Sequence, residues 1–208
     1  MKAYTLVTAP GTEPVLLADV KTYLRIDSSA DDAVLAILIA SARRAAEEYT
    51  KRAFITQTWQ LVMDRFSEDH DYHHGHHHNP LAAILHHRGR AIRLSREPIQ
   101  SITTIKTTDC ANAETTVLAE TYTLDTSAAR ILLNDGYSWP SSLREYAGIK
   151  ITFVAGYGLA AASVPEPIRQ GILQHVAASY SAKVCGDIPE GAKTLYDGFR
   201  LPEAFGAV

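Results

Sequence analysis

The sequence predicts an α+β fold, an antiparallel helical pack formed by the N- and C-terminal helices with an inserted antiparallel β lobe. Three observations carry this. Apolar residues recur at helical spacing near both ends of the chain. From roughly residue 55 to 157 the period falls to two, and Thr, Val, Ile and Tyr become common. Gly, Asn, Asp or Pro separate those alternating stretches, as turns between strands require. No internal repeat competes with this layout, which divides the chain into N-terminal helices (1–54), a β-rich lobe (55–157), a C-terminal helix packing on the first ones (158–186) and a tail (187–208).

The elements follow in chain order. In "PVLLADVKTYLRID", Leu17, Val20 and Leu24 share one helical face, which predicts a short helix over 16–25. In "SSADDAVLAILIASARRAAEEYTKRA", Ser29 reads as the N-cap, with Asp31 and Asp32 placed at the positive end of the helix dipole. Leu35, Leu38, Ala42, Ala45 and Tyr49 form its stripe and predict a helix over 30–52; its alanines allow a neighbouring helix to approach closely. "TQTWQLVMDRF" then alternates, with Trp59, Leu61 and Met63 on one face. "SITTIKTTD", "TYTLD", "RILLND" and "IKITFVAGYG" continue the strand reading. "VPEPIRQGILQHVAASYSAKVCG" returns to helix over 165–184 with Ile168, Ile172, Val176, Tyr180 and Val184 as its stripe, and Gly186 ends it. The stripes of the two long helices, Leu35, Leu38, Ala42, Ala45 and Tyr49 with Ile168, Ile172 and Val176, are expected to pack subunits together. The tail has Leu195, Tyr196, Phe199, Leu201 and Phe205 among prolines and glycines, too few apolar groups for a core of their own, so it is expected to dock on something.

Composition limits the function. With 20 Lys and Arg against 23 Asp and Glu, the net charge of −3 announces neither nucleic acid nor an anionic membrane. No segment approaches eighteen uninterrupted apolar residues, and "MKAYTLVTAPG" has no apolar export core. Cys110 and Cys185 match neither a disulfide framework nor a metal knuckle and read as packed thiols.

The run "HDYHHGHHHNP" raises the question of metal. His73, His74, His76, His77 and His78 surround Gly75 and end at Asn79-Pro80, the composition of a loop, without the helical i, i+4 placement that converges imidazoles on one ion. Adventitious metal binding is the most this tract predicts. There is no P-loop, dinucleotide fingerprint, Gly-x-Ser-x-Gly or His-Glu-x-x-His, and "GYG" at 156–158 reads as a turn after a strand. Asp31/Asp32 and Glu47/Glu48 fall where capping or a solvated helix face accounts for them, and His175 reads as a partly buried helix residue. In "HHRGRAIRLSR", alternation sends Arg88 and Arg90 to one strand face and Arg93 to the other. These arginines are solvated, touch a neighbouring subunit, or face DNA phosphates.

Taken in order, "PVLLADVKTYLRID", "DDAVLAILIASARRAAEEYTKRAFITQTW", "IRLSREPIQSITTIK", "YTLD", "WP", "ITFVAGYG" and "VPEPIRQGILQHVAASY" resemble the head-tail connector proteins, also called adaptor or head-completion proteins, of long-tailed phages, prophages and gene-transfer agents. The resemblance runs from Pro14 to about Tyr180. Leu16 departs from it, standing where relatives often have a capping Thr or Ser, and the histidine tract lies outside it. The resemblance implies a structural virion protein with no catalysis and no cofactor or metal. It would be assembled in the host cytoplasm and sit at the head-tail junction as a ring, typically twelve-fold, beneath the portal. Its implied partners are other copies of itself, the portal protein, a tail-side stopper or tail terminator, and packaged DNA in the channel; no membrane is involved. The end of the chain, Leu195 to Phe205, would reach the portal. Two readings from other classes are a DNA-packaging-associated DNA-binding factor and a metal-binding enzyme built on the histidine loop.

Overall fold

The computed structural model describes residues 2–66, 91–183 and 186–201. The histidine tract, Arg88, Arg90, Val184, Cys185 and Phe205 lie outside the described residues.

The chain opens with a strand that the sequence reading passed over, β1 (Lys2–Thr8). Two helices follow, α1 (Leu17–Leu24) and α2 (Asp32–Thr50). The lobe then runs through β2 (Gln57–Met63), β3 (Ala91–Arg93), β4 (Ile99–Thr108), β5 (Glu114–Thr116), β6 (Tyr122–Asp125), β7 (Arg130–Leu133) and β8 (Ile149–Ala155). It closes with α3 (Glu166–Ala182) and α4 (Glu190–Asp197). All ladders between these strands are antiparallel. The larger sheet has the order β1-β2-β8-β4-β5, the smaller one β3-β7-β6.

Alternation in β2 and β8 is complete. Gln57, Trp59, Leu61 and Met63 are buried on one face, and they pair in register with Ala155, Phe153, Ile151 and Ile149. Apart from Gln57, these side chains meet Ile92 and Ile131 of the smaller sheet in one apolar cluster, so the two sheets share a core. β1 adds Tyr4 and Leu6 to that cluster by pairing with Leu61 and Trp59. A second cluster holds Leu35, Ile39, Ala42 and Ala46 of α2 against Ile168, Ile172 and Val176 of α3. Residues 53–55 join the two cores: Ala53 belongs to the sheet cluster, Phe54 and Ile55 to the helical one.

The start of α2 differs from the expected cap. Its N-cap is Asp31, not Ser29, and makes no side-chain capping bond. The two acids tie helices together instead: Asp31 accepts from the Tyr180 hydroxyl of α3 at 2.7 Å, and Asp32 accepts from Lys21 of α1 at 2.8 Å. At α1, Leu16 has no acceptor to cap with, and only the return half of a capping box survives: its N–H donates to Asp19 at 3.3 Å. Pro165 is the N-cap of α3.

The turn reading of 156–158 holds. Gly156 has φ +135°, and a Cβ there would lie 2.5 Å from the Ile55 carbonyl carbon, so the chain leaves β8 by a path only glycine fits. Cys110 is exposed, not packed.

Asp125 closes the β6–β7 turn. It accepts from the Ser127 hydroxyl, from the Ser127 and Ala128 N–H groups, and from Arg130 Nε at 2.9 Å. The Ser127 and Arg130 bonds hold its carboxyl down to about 2. Its folded-state value lies below the unfolded 3.8, so its stabilisation is present above that value and is lost as the pH falls through about 2. Acid titration of Asp125→Asn should therefore lack a destabilising step that the wild type shows below pH 3.8; superimposable acid-unfolding curves would contradict this.

Candidate assembly interface

Among the described residues, no group of three or more His, Cys, Asp or Glu is placed to hold a metal. No helix among them is long and apolar enough to cross a membrane. The features with functional content are a buried polar junction, two helix surfaces and the C-terminal segment.

The junction is where helices and sheet meet, and Glu47 is its centre. It was read as a solvated acid, yet it is 4% exposed. One oxygen accepts from the Phe54 N–H at 2.9 Å and from Gln57 Nε2 at 2.7 Å; the other accepts from Arg43 at 2.9 Å. Arg43 also reaches Glu13 at 2.7 Å, tying the segment before α1 into the same network. Burial raises the Glu47 carboxyl above its ordinary value against the opposing Arg43 charge and the Phe54 and Gln57 bonds. Burial alone would lower Arg43, but the Glu13 bond and the Glu47 charge outweigh it and raise the guanidinium. Beside Glu47, Arg96 lies 4.5 Å over the Trp59 ring, with Glu48 at 2.7 Å, and the Glu97-Pro98 peptide next to it is cis. The network fixes how the lobe is set on the helices. Sequence spacing could not show it, because its members come from four separated segments.

The stripe proposed for subunit packing divides in two. Leu35, Ala42, Ile168, Ile172 and Val176 are buried within this chain's own helical core. Leu38, Ala45 and Tyr49 lie half-buried at its edge, and Ile39, Ala46 and Thr50 take the inner positions instead. Placing leucine at Ala42, 2% exposed, is expected to overpack this core by about 1–3 kcal/mol in denaturant titration, while the same change at half-buried Ala45 costs less.

The opposite side of α2 carries what the periodicity reading left unassigned: Ala33, Val34, Ala36 and Ile37 are exposed, with Ile37 at 69%, and Arg44 lies two turns further on. Across the helical pack, α1, α3 and α4 line an open cleft that includes Val15, Asp19, Glu166, Arg169, Leu173 and Leu195. Arg169 Nε is buried there without a hydrogen-bond partner among the described residues.

The C-terminal segment docks on its own chain. Expected as a docking tail, it forms α4, whose Tyr196 is fully buried. Leu195 lines the cleft, Phe199 packs half-buried on the helical core, and Leu201 donates its N–H to the Thr50 carbonyl at 3.0 Å. Tyr49 donates to Asp197, and Arg52 donates to the Phe199 carbonyl. Tyr196 is therefore a core residue here. Arg93 is exposed at the end of β3, paired in register with Arg130.

Residues 15–86 match the family model described as phage gp6-like head-tail connector protein. The fold matches a chain of the neck of an empty gene transfer agent particle computed with six-fold symmetry, at TM-score 0.75 and 21% identity, covering 99% of this chain and 98% of that one. A chain from the virion of a native gene transfer agent particle matches at TM-score 0.71 and 21% identity, covering 98% of each chain. A chain of the neck of a native particle computed with twelve-fold symmetry matches at TM-score 0.68 and 22% identity, covering 99% and 98%. Among curated proteins no sequence matches. The resemblance to head-tail connectors read from the sequence is borne out by these likenesses, and so is the α+β fold.

Proposed function

We propose that this chain is a structural virion protein, a head-tail connector that forms a ring beneath the portal, completes the filled head and provides the platform for tail attachment. The observation that carries this reading is the end-to-end correspondence with neck chains, 99% of this chain against 98% of that one, together with the connector family model over residues 15–86. The symmetries of those necks, six-fold and twelve-fold, support a ring of identical copies around the DNA exit axis. The role is architectural, without catalysis or cofactor. The portal and a tail-side stopper or terminator are its partners, and the head-tail junction of the particle is its place after assembly in the host cytoplasm.

The test is a pull-down with a purified portal protein from the same genome, followed by electron microscopy of the complex. Stable capture and a ring on the portal's outer face are the expected results. No capture would overturn the reading. Salt-dependent binding of duplex by the isolated subunit would favour a DNA-binding packaging factor. Stoichiometric metal surviving dialysis against a weak chelator would favour a metal-binding role of the histidine tract.

A further inference from the structure

We propose that neighbouring copies join by seating the outer face of α2, centred on Ile37, in the α1/α3/α4 cleft of the next copy, with Arg44 meeting that copy's Glu166. The inference rests on the ring reading above and names the surfaces that would close it.

The two surfaces lie on opposite sides of one subunit. α2 and α3 turn their buried stripes toward each other in the helical core. On a helix, a residue two positions from another is rotated by roughly 200°, so Ile37 points away from the core that Leu35 and Ile39 enter. By the same geometry Glu166 and Gln170 of α3, each two positions from buried Ile168, face away from α2. One face pointing outward from α2 and another pointing outward from α3 is the arrangement a head-to-tail contact needs, since each copy must offer two different patches to two neighbours.

The chemistry of the faces is complementary. The α2 face is convex, small and apolar at Ala33, Val34, Ala36 and Ile37, and ends in the exposed cation Arg44. The cleft is concave, with apolar walls at Val15, Leu173 and Leu195 and the exposed acids Asp19 and Glu166 at its rim. Neither Arg44 nor Glu166 has an ion-pair partner among the described residues. Spacing agrees as well. From Ile37 to Arg44 is seven residues, about 10 Å of helix, and from Leu173 back to Glu166 is the same. An α2 laid antiparallel along the neighbour's α3 therefore brings Ile37 to Leu173 and Arg44 to Glu166 together. Arg169, whose Nε lacks a partner among the described residues, lies between the two contacts and can donate to a carbonyl or side-chain oxygen of the incoming helix.

The experiment is disulfide cross-linking of the purified full chain in a background with Cys110→Ser and Cys185→Ser. Arg44→Cys combined with Glu166→Cys should give a ladder of linked copies on mild oxidation, whereas either cysteine alone should give monomer, because the contact joins different patches. Adding Ile37→Glu places a charge on the apolar contact and should reduce the ladder by about tenfold or more. Without cysteines, Arg44→Glu should weaken oligomerisation, and Glu166→Arg in the same chain should restore it. Absence of the ladder from the double-cysteine chain, or a ladder indifferent to Ile37→Glu, would overturn this interface. Portal capture by the wild-type chain, measured separately, distinguishes the cases: an interface that fails while the wild type still binds portal leaves the connector reading standing.

Discussion

Replacing Glu47 with alanine is expected to lower the unfolding free energy by about 3–5 kcal/mol, as removal of one member of a buried ion pair does. The change strands three groups at once. Arg43 keeps Glu13 but loses its inner partner, while the Phe54 N–H and Gln57 Nε2 lose the oxygen that accepts both of them. Glu47→Gln should cost much less, because an amide oxygen still accepts from Phe54 or Gln57 and no carboxylate has to be desolvated. Glu48→Ala, one residue on but 59% exposed, should change stability by no more than about 1 kcal/mol. Urea titration of the three variants checks the order. The pH dependence has a definite sign. Burial raises the folded-state carboxyl above 4.5, so the folded chain holds this proton more readily than the unfolded chain. The site's contribution is therefore fully present below 4.5 and declines as the pH rises through the folded-state value. Glu47→Gln should remove that decline. Equal costs for Glu47→Ala and Glu48→Ala would mean that the junction does not hold the lobe on the helices.

Glu47 also shows where sequence reading stops. The two long helices, their cores and β2, β4, β6, β7 and β8 were legible, since each buries one face and the period of burial is written along a single segment. A carboxylate buried by contacts from Arg43, Phe54 and Gln57 leaves no period; on α2 alone, Glu47 beside Glu48 looks like solvent-facing charge. β1 was missed for a different reason. Its alternation, Tyr4 and Leu6 inward against exposed Thr5 and Val7, spans only a few residues, and an edge strand that buries half a face has a weak signal. Most of the stripe expected to pack subunits together is buried in the chain's own helical core, since a chain of this size spends its strongest stripes there. The side of α2 left exposed is the weaker face, with Val34 and Ile37. The C-terminal helix did have a signal: Ala192, Leu195, Tyr196 and Phe199 stand at helical spacing, but the flanking Pro189 and Gly198 suggested punctuation and not helix boundaries.

Replacing Tyr196 with alanine is expected to destabilise the subunit by about 3–5 kcal/mol, the range for deleting a buried aromatic side chain. Its ring is fully buried and sits directly over Gly171 of α3, where a Cβ would come within 2.4 Å of Tyr196 Cε1. The glycine is thus the floor of the slot that lets α4 approach α3. Gly171→Ala should push the ring out and loosen α4 even though alanine is the better helix former. Combining it with Tyr196→Leu should recover part of the loss, because the smaller side chain leaves room for the new methyl group. Tyr196→Phe should be near neutral or mildly stabilising: the hydroxyl is buried with no hydrogen-bond partner among the described residues, and its removal ends that desolvation cost. Chain truncated after Gly186 should lose the Tyr196 contact, the Tyr49–Asp197 bond and the Leu201–Thr50 bond together, and so be less stable than Tyr196→Ala alone. Thermal denaturation orders the variants, and hydrogen exchange at α2 and α3 locates the effect. If truncation after Gly186 left the unfolding midpoint unchanged, α4 would not be part of the folded core, and residues 187–201 would again be available as a docking segment.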